Sequence, residues 1–208
     1  MQHHAYDPEV EVGGGSNPWV TCWTGARFHL YGDDPREIQL EDIAHHLSMV
    51  SRFTGGLLRP YSVAEHSILV MKLVAASGGS TEEMLQGLMH DAPEAYIADI
   101  ASPFKAEFGG YIEHEDRIWR RICDKLNVEY EMCTRVKEAD TLAYFIESIS
   151  LSPKGHHRES RNWDRYGPIA LAFIEQEGAI VSDMLHPLEL KQTFIQCFEA
   201  LQAGDTQS

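Results

Sequence analysis

The stretch Ser62-Val63-Ala64-Glu65-His66-Ser67 decides where the fold begins its helical part. A serine followed three residues later by a glutamate is a capping box, so a helix is predicted to start after Ser62. Its apolar stripe is formed by Val63, Val70, Leu73 and Val74 and runs up to Gly78-Gly79, where the helix is expected to stop. His66 falls on that stripe, so its ring is predicted to face the interior.

Outward from this stretch, the same start signal recurs at Ser80 and Glu83. The apolar residues Leu85, Leu88 and Met89 follow, so a second helix is predicted to end at His90-Asp91. Pro93 then ends or reshapes that helix, because proline lacks a backbone N–H.

A third ionisable residue stands on a later apolar stripe. Asp140 lies four residues after Val136 and three before Ala143 in a helix predicted over 131–151. A buried, unpaired carboxylate costs several kcal/mol, so Asp140 is expected to carry a proton or a cationic partner. Lys137 or Arg135 could supply that partner, and so could a metal ion.

The remaining pattern predicts an all-α domain of six or so helices with a short N-terminal β-hairpin. Alternation over 19–31, broken at Thr24-Gly25, favours the hairpin. A stripe of Ile43, Leu47, Val50 and Phe53 predicts another helix, as do the patterns over 111–126, 168–177 and 188–202. Residues 1–18 are predicted to form a flexible tail, 19–208 a single domain, and 152–167 a polar excursion.

Composition excludes several classes of protein. The chain has 208 residues, 17 basic and 32 acidic, and a formal charge of −15, which argues against sequence-independent nucleic-acid binding. A phosphorylated small molecule stays possible, because one metal ion and an arginine can invert the field of a pocket. There is no apolar run long enough to cross a membrane and no signal peptide, so a cytoplasmic location is expected. Four widely spaced cysteines are typical of free thiols in a reducing compartment.

His66, His90, Asp91 and Asp140 together form a candidate metal site. Two imidazoles and two carboxylates suit Mn, Co, Zn, Fe or Mg. Each residue alone also fits a structural role, since a histidine on an apolar stripe is commonly a hydrogen-bonded core residue. The hypothesis therefore depends on the ordered set of four.

That ordered set resembles the H…HD…D signature of the HD-domain metal-dependent phosphohydrolases, in the order Ser62–Ser67, Leu88–Glu94 and Val136–Asp140. More narrowly, it is similar to the 5′-deoxynucleotidase branch, which includes YfbR-like and YfdR-like proteins and phage dATP phosphohydrolases of the DatZ type. The resemblance covers about residues 20–150. It implies an HD-domain helical bundle in which the four residues hold a divalent metal ion, and it favours a homo-oligomer.

The resemblance also implies roles for five further residues. Glu94 matches a catalytic glutamate that orients or deprotonates the attacking water, and Arg52 matches an arginine that reaches the substrate phosphate. Asp99 matches an acidic residue that contacts the sugar hydroxyl or a second metal. Phe53 stands where YfbR-like proteins carry a tryptophan against the sugar, and Pro103 matches a residue that lines the base pocket of phage dATP hydrolases.

Three functional hypotheses follow. The first is metal-dependent hydrolysis of the 5′-phosphate of (2′-deoxy)nucleotides, with dAMP as a substrate. The second keeps the site but acts on dATP, converting dATP, dADP and dAMP to deoxyadenosine in a phage-infected cell. The third is a nucleotide-sensing HD domain with weak or no catalysis. The chain has neither a P-loop nor an H-E-x-x-H motif, which argues against a P-loop NTPase and a zincin protease.

Overall fold

The computed structural model describes residues 17–153, 160–180 and 186–205. The described residues form a short hairpin followed by helices. The strands are β1 (Trp19–Thr21) and β2 (Arg27–His29); the helices are α1 (Leu40–Met49), α2 (Val63–Ala76), α3 (Thr81–Met89), α4 (Glu94–Ile97), α5 (Ser102–Lys105), α6 (Tyr111–Leu126), α7 (Thr134–Leu151), α8 (Trp163–Glu177) and α9 (Pro187–Asp205). The prediction of an all-α domain with an N-terminal hairpin is confirmed.

The hairpin packs on the helical body mainly through the buried side chain of Phe28 and through its turn. β1 and β2 are antiparallel, with Val20 opposite Phe28, and the turn closes with the N–H of Cys22 donating to the carbonyl of Ala26 at 2.8 Å. Gly25 in this turn has a φ of +85°, which glycine adopts without strain. Phe28 is buried and its ring stacks on Tyr96 with centroids 3.9 Å apart.

Helix α2 lies between two apolar clusters and contributes to both. One cluster joins α2 to the hairpin, α1, α3, α6 and α9, and the other joins α2 to α7 and α8. Because α2 is covered from two sides, a polar side chain on its inward face is removed from bulk water. The positions where α2 meets the end of α3 and the middle of α7 therefore form a partly enclosed polar site.

One predicted boundary is wrong because of a single buried amide. Helix α7 starts at Thr134, not at residue 131. The side chain of Gln86 donates to the carbonyls of Glu129 and Glu131 at 2.8 and 3.0 Å and accepts from the N–H of Cys133 at 2.9 Å. These hydrogen bonds give the backbone groups of residues 129–133 partners in a non-helical conformation, so the helix does not extend into this segment.

Two other boundaries differ from the prediction. Helix α1 ends at Met49, so Phe53 does not continue its stripe; Phe53 has a φ of +55°, outside helical values. Helix α8 begins at Trp163 and contains Pro168, so the predicted polar excursion to residue 167 is too long and the predicted start at 168 is too late. Pro168 is the sixth residue of α8, beyond the first N–H groups that lack an intrahelical partner, so the helix continues through it with one backbone hydrogen bond fewer.

Gly167 in α8 provides a test of this packing. A Cβ at position 167 lies 2.6 Å from the ring of Trp163, so Gly167→Ala is expected to lower the free energy of unfolding by about 1–3 kcal/mol. Helix propensity alone predicts the opposite, a gain of roughly 0.5–1 kcal/mol. Thermal unfolding measures the difference. The matched control is Gly204→Ala in α9, where the nearest atom is at 3.5 Å and no loss is expected. Equal stability gains in both variants would contradict the packing argument.

Two predicted segments lie partly outside the residues that the structure describes. Residues 1–16 of the predicted tail and 154–159 of the polar excursion lie outside the described residues. Asn17 and Pro18 contact the hairpin, since the Asn17 side chain accepts a hydrogen bond from the N–H of Tyr31 and the Pro18 carbonyl accepts one from the N–H of Leu30.

Among the described helices, none has the length and apolar character needed to cross a membrane.

Candidate metal centre

The capping box of α2 places His66. The N–H of Glu65 donates to the Ser62 hydroxyl at 3.2 Å, and the N–H of Ser62 donates to the Glu65 carboxylate at 2.9 Å. The helix therefore starts at Val63, as predicted, and His66 falls within its first turn. The side chain of His66 is fully buried.

His90 and Asp91 come directly after the last residue of α3. The Nδ1 atom of His90 lies 2.8 Å from the carbonyl of Gly87, which accepts a hydrogen bond and cannot donate one. In the neutral ring this contact places the proton on Nδ1 and leaves the Nε2 lone pair for another partner. Here Nε2 faces His66 at 3.2 Å.

The four residues of the predicted metal set converge from three helices. The Nε2 atom of His66 lies 3.1 Å from Asp140 Oδ1 and 3.5 Å from Asp91 Oδ2. The Nε2 atom of His90 lies 3.3 Å from Asp91 Oδ2 and 3.9 Å from Asp140 Oδ1. His66, His90 and Asp140 therefore have donor atoms within 4.8 Å of one another, and Asp91 lies beside them, within 3.5 Å of both Nε2 atoms.

These distances fit a divalent ion. A tetrahedral site with bonds of 2.0–2.1 Å separates its donor atoms by about 3.4 Å, and an octahedral site separates adjacent donors by about 3 Å. The observed separations, 3.1–3.9 Å, span these values. Mixed imidazole and carboxylate donors suit Zn, Mn, Co or Fe better than a thiolate-requiring ion. The residues present could thus hold one divalent metal ion.

Asp140 lies at the open side of this cluster. Its side chain is 45% exposed, while His66 is fully buried and the side chain of His90 is 7% exposed. The expectation of a fully buried carboxylate is therefore wrong, and the cluster is accessible to solvent from the side of α7. The alternative partner Arg135 is also excluded, since its guanidinium contacts Glu83 and Ser77.

The charges of the cluster favour a cation between the two rings. Burial by itself lowers the pKa of His90, but the charge of Asp91 and a hydrogen bond to it raise that pKa to about 9. Burial and Arg52 likewise oppose protonation of His66, yet Glu147 and Asp140 raise its pKa above the usual range. Because metal ions compete with protons for these nitrogens, ion binding is expected to release protons.

The carboxylates of the cluster are held in their ionised form. Burial works against ionisation of Asp91, but the positive charges of His90, His66 and Arg52 lower its pKa well below the usual range. The pKa of Asp140 is lowered too, since its hydrogen bond with His66 outweighs burial. Ionised carboxylates are the form that binds a metal.

Arg52 lies beside the cluster, as the resemblance implies. Its Nη1 atom is 3.4 Å from Asp91 Oδ2, and its Nε atom is 3.3 Å from Glu147 Oε2. Although burial opposes the charge, Glu147 and Asp91 raise the pKa of Arg52. Its side chain is 13% exposed, so both of its ion pairs are largely shielded from solvent. A guanidinium so placed can contact an anion bound at the ligand cluster.

The segment after Arg52 has an unusual backbone. Phe53 and Thr54 have φ values of +55° and +53°, which bulky or branched residues rarely adopt. The Phe53 ring stacks on Tyr144, with centroids 5.7 Å apart and planes 16° from parallel. Strained backbone of this kind concentrates at ligand-binding sites. Tyr144 lies one helical turn after Asp140, so the aromatic pair borders the open side of the cluster.

Glu94 lies at the start of α4 and is almost fully buried. Its Oε1 atom is 3.2 Å from the amine of Lys105, which also contacts Glu115 at 2.7 Å. Its Oε2 atom has no hydrogen-bond partner among the described residues. Burial, together with the charges of Asp91 and Asp99, raises the pKa of Glu94 to about 9. A buried carboxyl group with one unpaired oxygen can hold or accept a proton.

The other two residues that the resemblance implies are Asp99, which follows α4, and Pro103, which lies in α5. Asp99 follows Ala98, whose φ of +65° turns the chain and whose carbonyl accepts from the Tyr111 hydroxyl at 2.8 Å. Burial raises the pKa of Asp99, and Arg52 opposes that shift. Pro103 is exposed in α5, the short helix that also carries Lys105.

Three residues near the site were not predicted. Glu147 contacts both His66 and Arg52, Lys105 contacts Glu94, and Tyr144 stacks on Phe53. Glu147 and Tyr144 lie seven and four residues after Asp140, a spacing that places them on one helical face. That spacing is the signal that could have identified them. Lys105 has no comparable sequence signal, since only the tertiary fold brings it to Glu94.

A second group of potential ligands is already hydrogen-bonded. Cys22, Asp42 and His46 have donor atoms within 4.8 Å of one another. Both oxygens of Asp42 accept from Thr24, at 2.7 and 3.0 Å. The two ring nitrogens of His46 contact the carbonyl of Ala95 and the N–H of Trp23. Burial raises the pKa of Cys22 to about 11. The group therefore ties the hairpin turn to α1 and needs no ion.

Sequence comparison with known proteins shows which family the chain belongs to. The chain is 36% identical over 133 residues to YfdR of Escherichia coli K12, an uncharacterised protein, covering 64% of this chain and 72% of YfdR. It is 32% identical over 160 residues to an uncharacterised protein of Rhodobacter capsulatus, covering 73% of this chain and 82% of that protein. The chain belongs to the YfdR family. Membership in the YfdR family assigns no activity, because both relatives are uncharacterised.

Other comparisons are less informative. No profile of a known protein family matches the chain. Among solved structures, the cyanophage S-2L HD phosphohydrolase (DatZ) bound to dA and one catalytic Zn²⁺ ion aligns with a TM-score of 0.41. The identity is 19%, over 77% of this chain and 95% of that chain. A likeness at this level does not transfer a ligand or an activity to this YfdR relative.

Proposed function

We propose that the protein is a metal-dependent phosphohydrolase that removes the 5′-phosphate of 2′-deoxynucleoside monophosphates. The observation that carries the proposal is the convergence of His66, His90, Asp91 and Asp140 beside the guanidinium of Arg52. A phosphate ester needs a positive environment for its oxygens and a water made nucleophilic. A bound divalent ion and Arg52, whose Nη1 atom lies 3.4 Å from Asp91 Oδ2, would meet the first requirement.

The four ligands would hold the ion. When bound, a divalent ion supplies Lewis-acid stabilisation of the phosphoryl oxygens and makes water nucleophilic near neutral pH. Arg52 binds a phosphoryl oxygen and stabilises the charge that develops during transfer, for which its planar guanidinium is suited. In its ionised form, which a cation bound at the ligand cluster would favour, Glu94 accepts the proton of the attacking water at its unpaired oxygen, and Lys105 keeps that carboxyl group oriented.

The nucleoside part of the substrate has candidate contacts at the edge of the cluster. Asp99 accepts a hydrogen bond from a sugar hydroxyl, and the ring of Phe53, supported by Tyr144, packs against the sugar. The resemblance implies that Pro103, exposed in α5, lines the base side of the site. Phe53 is smaller than the tryptophan of YfbR-like proteins, so weaker exclusion of a 2′-hydroxyl is expected.

Product analysis tests the proposal. The protein is incubated separately with dAMP and with dATP in Mn²⁺ or Co²⁺, and the products are separated by chromatography. We expect dAMP to give deoxyadenosine and phosphate while dATP persists. Conversion of dATP to deoxyadenosine would instead support a triphosphohydrolase, and no product from either would support a nucleotide-sensing domain. Both of these outcomes contradict the monophosphatase proposal.

A further inference from the structure

A fully buried carboxylate connects the ligand cluster to the arginine beside it. Glu147 Oε1 lies 2.6 Å from His66 Nδ1, and Glu147 Oε2 lies 3.3 Å from Arg52 Nε. The side chains of both Glu147 and His66 are completely inaccessible to solvent. One carboxyl group therefore contacts a candidate metal ligand with one oxygen and the candidate phosphate-binding residue with the other.

We propose that Glu147 is a positioning residue that couples metal binding to phosphate binding. It holds the His66 ring so that Nε2 faces the other ligands, and it holds the Arg52 guanidinium so that Nη1 faces Asp91. The role of Arg52 in this coupling rests on the proposed phosphohydrolase function. The role of His66 rests only on the metal site.

The contact with His66 determines which ring nitrogen is free. Because an ionised carboxylate only accepts hydrogen bonds, a contact at 2.6 Å places the imidazole proton on Nδ1. The lone pair of Nε2 is then directed at Asp140, Asp91 and His90, at 3.1–3.5 Å. A carboxylate behind a ligating imidazole fixes its tautomer and increases its basicity, and loss of such a partner typically weakens metal affinity 10–100-fold.

The contact with Arg52 orients its planar group. Nε and the two Nη atoms lie in one plane, so a hydrogen bond at Nε limits the directions in which the Nη donors can point. With Nε held by Glu147, Nη1 lies 3.4 Å from Asp91 at the ligand cluster. An arginine released from Glu147 keeps its charge but loses this orientation, so weaker substrate binding is expected.

Stability of the fold does not by itself account for Glu147. Buried ion pairs are weak evidence for stability, since apolar residues of similar volume often replace them without loss. The side chain of Glu147 is fully buried, and its neighbours in sequence, Phe145 and Ile146, belong to the apolar cluster of α2, α7 and α8. An apolar residue at position 147 could pack beside these neighbours, whereas a carboxylate can also accept hydrogen bonds from the two polar groups at the site, His66 and Arg52.

The test uses Glu147→Gln, which keeps the shape and removes the charge. Zn²⁺ or Mn²⁺ affinity is measured by calorimetric titration of chelator-treated protein, and we expect it to fall 10–100-fold. With dAMP as substrate, KM is expected to rise. The control is Glu138→Gln on the same helix, whose exposed carboxylate pairs with Arg165 and has no contact with the cluster. This control is expected to leave affinity and KM unchanged.

A double-mutant cycle separates the two contacts. If Glu147 acts on phosphate binding through Arg52, adding Glu147→Gln to Arg52→Lys raises KM less than it does in the unmodified protein. The loss of metal affinity should persist in the double variant, because it acts through His66. Additive effects on KM would overturn the coupling to Arg52.

A measurement on the unmodified protein covers the case in which Glu147→Gln does not fold. With ¹⁵N-labelled histidine in the Zn²⁺-loaded protein, the His66 ring is expected to carry its proton on Nδ1 with a strongly downfield shift; a proton on Nε2 would overturn the proposal. Failure of the proposed function is distinguishable, since metal affinity needs no turnover. If the unmodified protein hydrolyses no nucleotide but Glu147→Gln still weakens metal binding, only the proposed phosphohydrolase function is wrong. If the unmodified protein hydrolyses dAMP but Glu147→Gln changes neither metal affinity nor KM, only the proposed role of Glu147 is wrong.

Discussion

Asp140→Asn is expected to abolish both divalent-ion binding and phosphate release. The substitution removes an ionised oxygen 3.1 Å from His66 Nε2 and leaves an amide that binds metals poorly. Metal ions contribute several kcal/mol to transition-state stabilisation in hydrolysis, so phosphate release should fall by about 10³-fold or more. Release of phosphate from dAMP at saturating Mn²⁺ measures this loss.

Thermal unfolding gives an independent readout of the same variant. An ion at 100 times its Kd stabilises the folded protein by about 2.7 kcal/mol, which for a chain of this size corresponds to roughly 5–11 °C in Tm. The unmodified protein should show this rise when Mn²⁺ is added after chelation, and Asp140→Asn should not. Because Asp140 is 45% exposed, the metal-free variant should unfold near the temperature of the metal-free parent.

Glu138→Gln serves as the matched control for Asp140→Asn. It makes the same change of charge on the same helix, two residues away, at a side chain that pairs only with Arg165 among the described residues. Full activity and a full thermal shift are expected. If Asp140→Asn kept both as well, α7 would have no part in the metal centre and the site would have to be redrawn.

The positions of the four candidate ligands could be predicted because periodicity and local signals determine them. The capping box at Ser62 and Glu65 fixes the phase of α2, so His66 must face inward, and the structure confirms this. The same reasoning placed His90-Asp91 at the end of α3 and Asp140 on the face of α7 that meets α2. Local rules suffice here because each ligand lies within a regular helix or directly at its end.

What the sequence could not predict depends on long-range contacts. The start of α7 is set by Gln86, more than 40 residues away, so no local pattern reveals it. The pairing of Lys105 with Glu94 and of Glu147 with Arg52 joins segments that only tertiary packing brings together. The exposure of Asp140 was also missed, because helical periodicity gives the face of a residue but not whether another element covers it.

Glu94→Gln is expected to lower kcat by about 10²–10⁴-fold while leaving metal affinity unchanged. Asp140→Asn, in contrast, is expected to lose both metal binding and hydrolysis. Glutamine has the shape of glutamate and can still accept from the amine of Lys105, so the fold around α4 should persist. It cannot accept a proton at the position of the unpaired Oε2. Hydrolysis of dAMP is therefore impaired at the proton-transfer step and not at binding.

The measurement is steady-state hydrolysis of dAMP together with calorimetric titration of Mn²⁺ on the same preparation. Glu113→Gln is the control, since it makes the same substitution at an exposed position of α6. A parallel loss of metal affinity in Glu94→Gln would place Glu94 among the ligands instead of beside them. An unchanged kcat would contradict the proton-accepting role of Glu94. The burial of its carboxyl group would then be explained by its contact with Lys105 alone.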